Sequence, residues 1–270
     1  MKRSLPIFGV TLFSIAILLN SYIATYAQDF DFNRAFQDYT YNYNLYRSAH
    51  LEYISAKSEY LTYKTLTAQT KALEKTKNML LNRAETLKTY LTALRMKLKE
   101  TTGILNYQQN IYYLKLDNEV SWLATHKNSL PSAGTLEDLV KISQEAENRY
   151  PSIEILAYQT LGQVLLGKEN SLREKINEQI SKTQDKINQI KETGEDTTIL
   201  ERWLIQAKEK IKRSEEKEKE GQDLLSGLKP TDTSKQESWN KAQKAFEEEN
   251  QYLKEAVSFL KEIIREIKSE

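Results

Sequence analysis

Aromatic residues recur at steps of four and three near the start of the chain: Phe32, Phe36, Tyr39, Tyr43, Tyr46, His50 and Tyr53, with Tyr60 seven further on. Alternating steps of that size line up side chains on one stripe of a helix that packs along a partner. The phase slips near Tyr63, and leucines take over at Leu66, Leu73, Leu80, Leu87 and Leu94, joined by Leu91 and Leu98. No glycine or proline lies between Asp31 and Thr102, so the pattern predicts one helix of about 70 residues, on the order of 100 Å long at ~1.5 Å per residue. A helix of that length requires partners along its run.

Gly103 marks a kink or turn, and Ile104, Ile111 and Leu114 carry a second amphipathic stretch to about Lys127. Pro131 and Gly134 form a loop, after which Thr135 is placed to cap a short helix ending at Tyr150, before Pro151. Beyond it Leu161, Leu165, Leu172, Ile176, Ile180, Ile187 and Ile190 keep helical spacing as far as a tight turn at Gly194, Glu195 and Asp196. Asp196 or Thr197 then caps a run through Ile199, Trp203, Ala207 and Ile211 to Leu225, ahead of Gly227 and Pro230. The last helix has the most regular heptad: Trp239, Ala242, Phe246, Glu249, Leu253, Ala256, Leu260, Ile263 and Ile267. The expected fold is all-α, an elongated helical bundle or antiparallel coiled coil. Residues 28–150 form a long-helix domain with one very long N-terminal helix, and residues 151–270 an antiparallel three-helix bundle.

Ahead of these helices, Lys2 and Arg3 precede an apolar run from Leu5 to Leu19 and a polar segment to Ala27, the order of a secretory signal. Small residues at Thr25 and Ala27 place cleavage before Gln28 and make residues 1–27 a signal peptide. The alternative is an uncleaved membrane anchor over Leu5 to Ala27, with Lys2 and Arg3 held inside. Either way the remainder is extracytoplasmic, secreted, periplasmic or at the cell surface. The absence of cysteine removes disulfides, thiolate metal sites and a cysteine nucleophile, so packing alone must hold the fold. With 39 basic and 38 acidic residues there is no global field to recruit nucleic acid.

Seven of the sixteen tyrosines fall between Tyr39 and Tyr63, which concentrates attention there. Tyrosine combines a flat apolar face with one hydroxyl, a pairing suited to protein interfaces and sugar stacking. Tyr39, Tyr43, Tyr46, Tyr53 and Tyr60 share the seam of the first helix with His50, whereas Tyr41 and Tyr63 lie off it and are expected to be exposed. These eight residues are the candidate interaction surface. His50 is expected to bond a neighbouring tyrosine, and His126 to stand as a cation favourable to the dipole at a helix end. The segment from Tyr43 to Glu100 carries eleven Lys or Arg against five acids, an excess open to anionic head groups or cell-wall polymers.

No nucleophile elbow, phosphate loop, paired carboxylate or metal-ligand spacing is present, so neither an enzyme nor a cofactor or small-molecule substrate is expected. The many glutamates read as outward-facing, and the seams predict no buried polar cluster. The expected function is that of an exported structural or interaction protein of the cell envelope, a scaffold, spacer or oligomerising arm, with a protein partner or self-association. The alternative is an extracytoplasmic binding module or holdase-like chaperone with a tyrosine-rich helical groove.

Overall fold

The computed structural model describes residues 31–269, and from Phe32 onward the chain forms one compact unit. The expected signal segment and its cleavage point lie outside the described residues. Among those residues are six α-helices and no strand: α1 (Phe32–Tyr63), α2 (Leu66–Glu100), α3 (Asn106–Ser129), α4 (Leu136–Glu192), α5 (Thr198–Ser226) and α6 (Lys235–Ser269).

The single helix expected over residues 31–102 is two helices. The chain reverses at Lys64 and Thr65, at the phase slip, with neither glycine nor proline to mark the place. Lys64 takes the left-handed backbone (φ 51°), and its N–H donates to the Tyr60 carbonyl at 2.9 Å. Thr65 caps α2 by accepting from the Ala68 N–H at 3.2 Å. The long helix thus supplies its own packing partner, and α1 and α2 run antiparallel. Ion pairs Glu59–Lys71 (2.6 Å) and Glu52–Lys75 (3.0 Å) lie close to the turn, and the Thr86 hydroxyl donates to the Asn42 carbonyl (3.0 Å) farther along. At the open end the Phe32 N–H donates to the Glu100 carboxylate at 2.8 Å.

Gly103, with φ 78°, turns the chain from α2 into α3. A Cβ there would lie 2.1 Å from the Gly167 carbonyl oxygen, so only glycine allows this turn to sit against α4. Thr135 caps α4 in a reciprocal box with Asp138, whose carboxylate is held below its usual range by the Thr135 side chain first and then by the Thr135 and Gly134 N–H groups.

Pro151 does not end a helix, contrary to the spacing argument. α4 runs unbroken through it, 57 residues in all, and the boundary drawn there between two domains lies in mid-helix. A proline inside a helix removes one hydrogen bond and costs ~3 kcal/mol in isolation. Packing on both sides offsets that cost: Leu139 and Ile142 join Met79 and Leu80 of α2 before it, while Ile155 and Tyr158 join Leu225 of α5 and Trp239 of α6 after it.

Downstream of Gly167, α4, α5 and α6 share one apolar core. Ile176, Ile187, Leu204, Ala207, Leu253 and Ile263 are among its buried members. The turn between α4 and α5 forms at Gly194 (φ 88°), and the Asp196 carboxylate accepts from the Thr198 N–H at 2.9 Å to start α5.

Candidate functional site

The line that α1 buries is not purely the aromatic one. Ala35, Ala49 and Ala56 are almost fully enclosed, and together with the half-buried Asn42 they alternate with Tyr39, Tyr46, Tyr53 and Tyr60. The small alanines let α2 approach closely, and the larger tyrosines wrap the edges of the contact. Tyr39 is the one tyrosine of α1 that is buried outright, its ring 5.3 Å from that of Tyr90. Burial raises the pKa of both hydroxyls, so both remain protonated. Tyr43, Tyr46, Tyr53 and Tyr60 are half-buried, with Arg47 above the Tyr43 ring (6.0 Å) and Lys57 above Tyr53 (5.5 Å). Tyr41 and Tyr63 stand out from the hairpin, 65% and 69% exposed.

His50 departs from expectation. Its ring sits between Tyr46 (5.7 Å) and Tyr53 (5.9 Å), but its buried Nδ1 has no hydrogen-bond partner, so contact is through ring faces. Burial, then the nearby Arg83 guanidinium, lowers its pKa and favours the neutral ring. Arg83 itself is buried, donating to the Ser143 hydroxyl at 3.1 Å, with Tyr46, Glu147 and Tyr53 close enough to favour its charge. His126 is buried as well, stacked on Trp122 at 4.8 Å, and burial followed by Arg83 lowers its pKa. The cation expected at the end of α3 is therefore disfavoured, with only the Glu145 carboxylate at 3.9 Å acting the other way, and one arginine brings both histidines under the same field.

No known protein family, curated protein or solved structure matches this chain.

A second cluster overturns the expectation that the seams hold no buried polar cluster. Glu249, a heptad position of α6, is fully buried, and its Oε1 accepts from Arg173 of α4. Arg173 also donates to Glu218 (2.5 Å) and Ser214 (3.3 Å) of α5 and to Asn170 (2.9 Å) of its own helix. Alongside, the Asn250 amide donates to both oxygens of Glu169 at 2.8 Å. These groups cross the bundle as a polar layer between two apolar clusters, one reaching Leu166 and Phe246 and the other starting at Ile176 and Leu253. Burial, stronger than the attraction of Arg173, pushes the Glu249 carboxyl up to about 8, and burial raises Glu169 as well. Not every glutamate faces outward, and the signal was present as the one charged residue in an otherwise apolar heptad.

The basic excess of the first two helices is largely engaged within the fold. Lys71 and Lys75 pair with α1, and Lys77 donates to the carbonyls of Pro131 (3.1 Å) and Ala133 (2.8 Å). Arg95 pairs with Asp117 at 2.7 Å, and Lys97 lies over the Phe32 ring at 4.6 Å. No helix among the described residues is long and apolar enough to cross a membrane, and no three potential ligand side chains gather there around a metal position.

Proposed function

We propose that the chain is an extracytoplasmic interaction protein of the cell envelope, a scaffold, spacer or oligomerising arm that makes contact through the outer face of α1. The observation that carries this reading is the character of that face. Tyr41, Leu45, Leu51, Ile54 and Leu61 are exposed on the sides of α1 turned away from α2, Tyr63 is exposed at its last turn, and α1 has six charged residues among 32, against fourteen among 29 in α5.

A solvated helix with no partner gains nothing from exposed leucine and isoleucine, and clustered apolar exposure marks contact surfaces. Depletion of charge with retention of tyrosine is the composition of an interface centre. The hairpin gives such a face a rigid support, since Ala49 and Ala56 fix α1 on α2 from the opposite side. Placement outside the cytoplasm rests on the basic, apolar and polar order of the first 27 residues.

Light scattering after size exclusion, together with capture from native envelope material, tests the reading. The unaltered chain is expected to self-associate or to retain a partner, and the double variant Tyr41→Ala, Leu51→Ala to lose that association at unchanged helicity. A chain that is monomeric and retains no partner refutes it.

A further inference from the structure

We propose that a cleft between α3 and α5, floored by α4, binds a short uncharged saccharide carrying N-acetyl groups. This goes beyond the contact face on α1 and uses a different part of the molecule. Both α3 and α5 pack on α4, and between them lies a cleft of about 370 Å³, lined also by Gly103 and Ile104 of the α2–α3 turn. Clefts that hold small ligands measure ~300–1,000 Å³, so this one has the size of a small site.

Its lining is the argument. Gln108 of α3, Gln159 and Gln163 of α4 and Gln222 of α5 converge from three helices. Lys115 and Asp223 supply one charge of each sign, which leaves the cleft without a net field for an ionic ligand. Carboxamides recognise neutral hydroxyl and amide groups, because each offers one acceptor and one donor end without charge.

Several are already oriented. The Gln159 amide donates to the Leu225 carbonyl at 3.2 Å and the Gln222 amide to Glu218 at 2.8 Å, which leaves the carbonyl oxygen of each side chain as an acceptor. Gln163 bonds the Tyr112 hydroxyl, while the Gln108 side chain makes no hydrogen bond within the described residues. Fixed acceptors beside an uncommitted amide and a lysine suit hydroxyl groups, which donate once and accept twice, and the N–H and C=O of an acetamido group. Leu166 and Leu225 give the methyl of that group an apolar contact.

Calorimetric titration of the full chain with N,N′-diacetylchitobiose and with cellobiose tests the proposal. The acetylated sugar is expected to bind, with cellobiose weaker by roughly tenfold for want of the acetamido bonds. Gln108→Ala, which removes no side-chain hydrogen bond, and Gln163→Ala should each weaken binding by roughly tenfold, with Gln184→Ala outside the cleft as the unaffected control. Thermal melts of each variant confirm that the fold is retained, and Gln108→Ala keeps the test decisive if Gln163→Ala unfolds. Absence of heat with both sugars, equal affinity for the two, or undiminished binding by the folded Gln108→Ala variant overturns the proposal. None of these outcomes bears on association through α1.

Discussion

Replacing Glu249 with Gln should abolish a pH dependence that the native bundle owes to one buried carboxyl. In the folded chain burial pushes this group up to about 8 from its ordinary 4.5. The folded state keeps the proton to about pH 8, whereas the unfolded chain releases it near 4.5. Across that window the folded state binds more protons, so its stability is full below the lower value and falls as pH rises toward the upper one. One proton is worth about 1.4 kcal/mol per pH unit, so between about pH 5.5 and 7.5 the native chain should lose roughly 3 kcal/mol that Glu249→Gln retains.

Glu169 is also raised by burial and acts in the same direction, and it is present in both proteins. His50 and His126 act in the opposite direction: their lowered pKa values cost stability as pH falls below an ordinary 6.5, again in both proteins. The difference between the two chains therefore isolates Glu249. Urea unfolding followed by circular dichroism at three pH values within the window measures it. Parallel stability curves for the two proteins would refute the reasoning and show that Glu249 is ionised throughout, balanced by Arg173.

Tyr39→Ala should destabilise the hairpin by about 3–5 kcal/mol, as for other large buried aromatics, and Tyr46→Ala or Tyr53→Ala by a smaller amount because both are half-buried. Tyr41→Ala and Tyr63→Ala should leave the melt unchanged while weakening association, and negligible effects at all of these positions would identify α1 as a solvated arm. Gly103→Ala should lower the melting temperature, since the left-handed backbone alone costs ~1–2 kcal/mol and a Cβ would meet the Gly167 carbonyl at 2.1 Å. A fragment of residues 152–270 should melt cooperatively, because both apolar clusters of the bundle are complete within it. A broad, non-cooperative transition would show that the first turns of α4 are required.

The helical class, the heptad of α6, the Gly194 turn and the Thr135 cap were legible because each has a local cause in spacing or backbone chemistry. The exposure of Tyr41 followed from phase, whereas Tyr63 shares the phase of Ala49 and Ala56 and is exposed because α1 ends there. The reversal at Lys64 was not legible, because a left-handed lysine leaves no mark in composition and the phase slip was its only trace. Pro151 misled in the other direction, since tertiary packing on both of its flanks offset a local penalty. Ala35, Ala49 and Ala56 were overshadowed by the aromatic line beside them, and Asn42 breaks their seven-residue register. The polar layer was half visible as Glu249 in the heptad, but Arg173, its partner, comes from another helix. The cleft was invisible, because Gln108, Gln163 and Gln222 are brought together only by the packing of three helices.

Asn170 belongs to two of these features at once, accepting from Arg173 in the polar layer and lining the cleft. That sharing gives the layer a reason to persist where an apolar core would hold the bundle equally well. A seam of leucine and isoleucine tolerates a slip of one heptad, because apolar side chains find similar holes seven residues away. Such a slip would move α5 along α4 by roughly 10 Å at ~1.5 Å per residue and carry Gln222 away from Gln159 and Gln163. It would also part Arg173 from Glu218 and Ser214 and leave buried charge unpaired, at a cost of ~3–5 kcal/mol. The layer therefore selects one register of α5 and α6 on α4, and only in that register do the amides of three helices face one another across the cleft.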